Sequence, residues 1–224
     1  MEILAPVRNF LYLKVYLPIL WSRNPEVTPS KKSDFVSIFL KLFPSPRSHD
    51  LKMKTIQRLG GKSAWVETGT YVGDGAVAIS SFAEILHTIE PSRELSAIAK
   101  SKLVSRKNVE LHVGTSENRL PEVLESLISK GYDDISIWLD GHYSGGQTFL
   151  GDFETPIMSE LNTISKYSNS FTHLRIFIDD VRCFNPEIVE YRAYPKIRYL
   201  LDFAASQNFK ISFTRDICVM KKKV

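Results

Sequence analysis

Two apolar, strand-like runs in this chain end in acid: "ISIWLD" closes on Asp140, and "RIFIDD" closes on Asp179 and Asp180. Neighbouring strands of this kind would bring the three carboxylates together, where they repel one another at neutral pH unless protonated or bridged by a cation. Oxygen ligands without Cys or clustered His select a hard divalent ion, Mg²⁺ ahead of Mn²⁺ or Ca²⁺. Such an ion lowers the pKa of a coordinated hydroxyl and fixes it for reaction. Asp140, Asp179 and Asp180 are therefore the candidate metal ligands, and Asp140 and Asp179 are also candidate catalytic groups. His142, just behind Asp140, titrates near neutral pH and suits a general base, although a hydrogen-bonding contact to substrate fits it equally. Around it, Gly141, Gly145, Gly146 and Gly151 alternate with Tyr143, Gln147 and Thr148, a composition that suits a loop closing over a substrate.

A second cluster lies upstream in "WVETGTYVGDGA", which reads as strand, tight turn and helix start. Gly69, Gly73 and Gly75 allow a loop to wrap closely around a cofactor. Glu67 would repel a pyrophosphate but attract an ammonium, and Tyr71 breaks the G-x-G-x-x-G spacing, so a nicotinamide oxidoreductase is disfavoured. Glu90 ends the next strand at about the 20-residue offset from which an acid reaches ribose hydroxyls; the plain alternative is an exposed strand-end acid. In "VGTSEN", Thr115 and Ser116 either reach an adenine edge or cap the following helix.

From Ala64 onward, short apolar runs alternate with longer helical patterns, which implies crossover units and a mostly parallel sheet with helices on both faces. The last two runs, "FKISFTRD" and "ICVMKKK", follow each other without a helix and read as an antiparallel hairpin. Residues 1–60 form a helical extension or lid, with prolines flanking the amphipathic run "DFVSIFLKLF", and residues 61–224 form the main domain. The apolar stretch Asn9 to Trp21, interrupted by Lys14 and Pro18, is too short to span a bilayer, which takes about 20 residues. It also lacks a signal-peptide cleavage pattern.

Composition, with 43% hydrophobic and 24% charged residues, fits an ordinary globular protein. The net charge of +4 is scattered apart from Lys221 to Lys223, so a nucleic-acid partner is not expected. Cys183 and Cys218 have neither zinc nor disulfide-framework spacing, and a reducing cytoplasm suits them. His87, His112 and His173 lie beside expected strands without evident partners, and His49 lies in the extension; structural or solvent-facing roles are expected for all four. Phe35, Phe39 and Phe43 recur at helical spacing and read as packing. Arg182 either holds a substrate or pairs with a carboxylate. "FNPEIVEYRAYP" after the fifth strand stands where substrate-covering insertions attach.

Taken together, "ETGTYVGDG", "IEP", "GTS" and "LDG" resemble the successive motifs of class I S-adenosylmethionine (SAM)-dependent methyltransferases. The E-T-G-x-x-x-G loop looks most like the macrocin O-methyltransferase group of metal-dependent sugar O-methyltransferases. The resemblance covers Ala64 to the C-terminus and implies a Rossmann-like seven-stranded α/β sheet. It implies SAM contacts from Glu67, Gly69, Thr70, Tyr71, Gly73, Glu90, Thr115, Ser116 and Asp140. It further implies a Mg²⁺ ion held by Asp140, Asp179 and Asp180 that binds vicinal hydroxyls of a small molecule or sugar. The expected protein is a SAM-dependent O-methyltransferase, possible as a homo-oligomer. The alternative is a non-catalytic SAM-binding scaffold that docks through its N-terminal extension.

Overall fold

The computed structural model describes residues 48–141 and 155–223. The expectations for the stretch 9–21, the amphipathic run 34–43 and His142 with its glycine-rich neighbours fall outside them. Seven strands form one sheet: β1 (Ala64–Thr68), β2 (Ile85–Glu90), β3 (Val109–Val113), β4 (Asp134–Leu139), β5 (His173–Ile178), β6 (Phe209–Thr214) and β7 (Ile217–Lys222). Their order is β3-β2-β1-β4-β5-β7-β6. The first five run parallel, while β7 lies antiparallel between β5 and β6. This is the mostly parallel sheet expected from the alternation of runs, closed by the expected hairpin, in the seven-stranded Rossmann-like form that the resemblance implies.

Among the described residues, six α-helices cover the sheet: α1 (His49–Leu59), α2 (Asp74–Ser80), α3 (Arg93–Leu103), α4 (Ser116–Ser129), α5 (Ile157–Tyr167) and α6 (Arg198–Ser206). β1 is buried along its whole length because β2 and β4 flank it and helices cover both faces, which is why it opens on the apolar run Ala64-Trp65-Val66 and even Glu67 and Thr68 are buried. Its residues alternate between two core layers. Ala64 and Val66 pack with Leu124 of α4, Leu161 of α5 and Leu200 of α6. Trp65 packs with Ile56 of α1, Ile79 of α2 and Ala99 of α3, stacking on Phe177 at a 5.6 Å centroid distance. Thus α1, although it belongs to the 1–60 segment, contributes Met53 and Ile56 to the second layer.

α2 stops at Ser80, although the sequence continues apolar into Phe82 and Ala83. The Ser80 hydroxyl donates to Val77 O at 2.9 Å and that of Ser81 to Ala78 O at 2.6 Å. Such bonds compete with the helical ladder and favour a stop there.

The parallel register brings four strand ends to one rim. Gly69 N–H donates to Ile89 O at 3.0 Å, Asp140 N–H to Thr68 O at 3.1 Å, and Asp179 N–H to Leu139 O at 3.0 Å. Strand order reverses between β2-β1 and β4, and the rim outside the strand carboxyl ends at such a reversal is where these sheets bind ligands.

Candidate functional site

The β1 loop is built from backbone geometry first. Gly69 sits at φ +84°, and a Cβ there would fall 2.5 Å from Asp140 O, so the β1 loop and the β4 end touch through bare backbone. Gly75 opens α2 against Glu67: a Cβ there would meet Glu67 Oε1 at 2.3 Å. Glu67 lies beneath the loop and is fully buried. Thr88 donates to Glu67 Oε2 at 2.6 Å, and because its proton is spent there, Thr70 donates to Thr88 at 2.5 Å. Burial pushes the Glu67 carboxyl up to about 8; the Thr88 bond pulls against this, while the charges of Asp140 and Glu90 add to it.

Glu90 is bonded to backbone on both sides. Oε2 accepts from Tyr71 N–H at 2.7 Å and Oε1 from Ser92 N–H at 3.0 Å. Its carboxylate thereby ties the β1 loop to the end of β2. It holds Tyr71, half-exposed at 49%, in the left-handed region at φ 52°, an uncommon conformation for a residue with a side chain. Burial raises the Glu90 pKa, and the two backbone bonds lower it. Thr115 takes the N-cap position of α4 without a side-chain cap bond. Ser116 turns inward and is buried.

At the β4 and β5 ends a small cleft is lined by Asp140, Gly141, Glu160, Asp179, Phe184 and Tyr194. Asp140 and Asp179 therefore do meet at a common rim. Asp179 is 8% exposed, and its carboxyl is pushed well above the usual range by burial and by the charges of Asp140 and Asp180, with Lys52 opposing.

Asp180 adopts the left-handed conformation, φ 52°, which turns its side chain into a network of fixed cations. Lys52 Nζ lies 2.6 Å from Asp179 Oδ1 and 2.6 Å from Asp180 Oδ1. Arg182 grips both oxygens of Asp180, Nη2 reaching Oδ2 at 2.9 Å, and pairs with Asp216 in the β6–β7 turn. Burial works to raise the Asp180 pKa, but the bonds to Arg182 and Lys52 hold it below the ordinary value. The same carboxylates keep the Lys52 ammonium's pKa up against the burial that would lower it. Of the two roles the sequence left open for Arg182, pairing with a carboxylate is the one observed.

Sequence reasoning missed Lys52, Glu160, Tyr194 and Asp216. Lys52 and Glu160 carried a readable signal, since each stands inside a buried helical stripe: Lys52 beside Met53 and Ile56, Glu160 between Ile157 and Leu161. A charged residue at such a position is rarely buried unless it has a partner. Glu160 is 2% exposed, and burial pushes its carboxyl up to about 7, against the pull of the nearby Ser116 and Thr68 hydroxyls. Among the described residues these hydroxyls are near but not well aligned, and neither Glu160 Oε1 nor Thr68 Oγ1 completes a hydrogen bond of good geometry.

The histidine reading needs one correction. His87 and His112 are not without partners: their rings stack, and His87 Nδ1 lies 2.9 Å from His112 Nε2. Parallel pairing of β2 and β3 sets His87 opposite Glu110 and puts all three on one face. Burial lowers the His87 pKa to about 4, so this pair is neutral. Both cysteines are free and buried; burial pushes the Cys183 thiol up to about 12.

No family model matches the chain, and no curated protein matches it. Solved methyltransferase structures share its fold. A candidate caffeoyl-CoA O-methyltransferase from Staphylococcus aureus is 13% identical at a TM-score of 0.51, with 93% of this chain and 98% of that one covered. The O-methyltransferase TomG of tomaymycin synthesis from Streptomyces achromogenes, solved with SAM, is 16% identical at a TM-score of 0.50, with 77% of each chain covered. A candidate rRNA methylase from Clostridium thermocellum is 12% identical at a TM-score of 0.50, with 80% and 99% covered. The fold is thus the one found in class I SAM-dependent methyltransferases.

Proposed function

We propose that the chain is a SAM-dependent methyltransferase that methylates a hydroxyl of a small polyhydroxylated molecule or sugar moiety. The observation that carries this is the parallel register, which sets the Glu90-tied loop at the end of β1 beside the acid-lined cleft at the ends of β4 and β5. SAM fits the first part, because a glycine-opened turn and strand-end acids can receive an ammonium and a ribose diol. The TomG structure holds SAM on the same fold. The fold-sharing proteins differ in acceptor, so the acceptor class rests on the cleft itself. A small pocket walled by carboxylates disfavours a phosphate backbone and suits neutral hydroxyls.

When bound, SAM supplies a methyl group activated by a sulfonium. The acceptor oxygen forms the new C–O bond as the C–S bond breaks, sulfur keeps the electron pair, and the hydroxyl proton passes to a base. Asp179, at the cleft with its pKa raised, is the described residue suited to take that proton, and Asp140 is placed to orient the acceptor. His142 lies outside the described residues and stands as the second base candidate.

Magnesium is a poorer fit to the donors as arranged. An ion shared by Asp140, Asp179 and Asp180 would have to displace the Lys52 ammonium and compete with Arg182 for both oxygens of Asp180. The reaction is therefore derived without a metal.

Calorimetric titration with S-adenosylhomocysteine (SAH), followed by methyl-transfer assays on hydroxylated acceptors, tests the reading. Saturable SAH binding with transfer supports it, and no SAH binding overturns it. Binding without any transfer shifts the reading to a non-catalytic SAM-binding protein.

A further inference from the structure

Three carboxylates at one rim pose a charge problem, and the chain holds its own answer. Lys52 is 7% exposed, and its Nζ bridges Asp179 Oδ1 and Asp180 Oδ1 at 2.6 Å each. That geometry is what a cation between two carboxylates must have. It is also fixed from behind, since Met53 and Ile56, next to Lys52 on α1, are buried under Trp65 in the second core layer. Swinging the lysine out would strip buried Asp179 of its paired ammonium and leave Asp180 to Arg182 alone, and breaking a buried ion pair is strongly destabilising. Arg182 adds a second guard, gripping Asp180 while Asp216 holds the guanidinium in place. A divalent ion approaching this pair meets an ammonium and a guanidinium already in contact with the oxygens it needs. At such range like charges in a poorly solvated site repel strongly.

We propose that Lys52 is the resident cation of the Asp179–Asp180 pair, a covalently tethered ammonium standing where the acid pattern calls for a divalent metal, so that the cleft orients its acceptor without one. Lys52 is a positioning residue: it acts through Asp179, which lines the cleft. The link to catalysis rests on the methyltransferase reading, whereas the assignment of the cation does not.

The test uses the full chain and Mn²⁺ as a paramagnetic probe, read by electron paramagnetic resonance, with SAH binding measured on the same samples. The wild type is expected to take up no stoichiometric Mn²⁺, and its melting temperature is expected to be indifferent to EDTA. Lys52→Met, which leaves the carboxylates without their ammonium, is expected to gain an Mn²⁺ site at least about tenfold tighter than any in the wild type, lost again when Asp179→Asn is added. A purely structural lysine would produce no such gain. Lys52→Gln keeps a hydrogen-bond donor while removing the charge, and it serves if Lys52→Met does not fold. Stoichiometric Mn²⁺ on the wild type that Asp179→Asn removes overturns the proposal, and that measurement needs no Lys52 variant. Folded Lys52 variants that gain no Mn²⁺ also overturn it. Failure of SAH to bind overturns the methyltransferase reading and leaves the cation assignment standing.

Discussion

The backbone N–H of Tyr71 donates to Glu90 Oε2 at 2.7 Å, so the acid at the end of β2 sets the shape of the loop at the end of β1. The loop's left-handed residue and its anchor thus form one unit. Glu90→Ala removes both backbone bonds of the carboxylate. With charge-assisted hydrogen bonds contributing about 1.5–3 kcal/mol, SAH affinity should fall roughly ten- to hundredfold, read by calorimetry. Glu90→Gln retains an acceptor for Tyr71 and should lose less.

Gly69→Ala should be costly for a different reason. The added methyl meets Asp140 O at 2.5 Å in a backbone held at φ +84°. A destabilisation above about 1 kcal/mol is expected, seen as a drop of a few degrees in the melting temperature together with weakened SAH binding.

Asp179→Asn separates chemistry from cofactor binding. Asp179 lines the cleft, whereas the β1 loop is tied by Glu90. Turnover should fall by about 100-fold or more, the scale of a lost general base, while SAH affinity should stay within about twofold. An equal loss in both would contradict the assigned role.

Glu67 and Glu160 should leave a pH signature in stability. Their folded-state pKa values, about 8 and about 7, stand above the ordinary 4.5. Between those values the folded state binds more protons than the unfolded one, so stability is fullest below about pH 4.5 and declines as pH rises through 7 and 8. Denaturant unfolding as a function of pH should show this decline, and Glu67→Gln or Glu160→Gln should flatten it in the corresponding window. Asp180, held below its ordinary value, acts in the opposite sense at lower pH: its contribution is lost as acid is added.

Much of the architecture was legible because a parallel sheet buried on both faces writes itself as apolar runs. The acids that end "WVE", "TIE", "WLD" and "IDD" therefore mark strand ends at one rim. Period alone could not reveal which charges pair across the fold. Lys52 and Asp180 are 128 residues apart, and nothing local in α1 names its partner. The spacing marks Glu90 only as a candidate ribose acid; that each of its oxygens also accepts a backbone N–H depends on how Tyr71 turns, which spacing does not show. Glu160 could have been noticed as an acid in an apolar helical stripe. The poor alignment of its Oε1 is a property of the assembled rim and appears in no spacing rule.

The hairpin order gives the molecule a timing constraint. Asp216, which steadies Arg182, lies in the β6–β7 turn, and β7 must insert beside β5 before that turn can reach the acid pair. A nascent polypeptide emerging from the ribosome could lay down β1 to β5 and the Glu90-tied loop early. Its acid pair would then wait, without the clamped guanidinium, until the closing hairpin had been synthesised and docked.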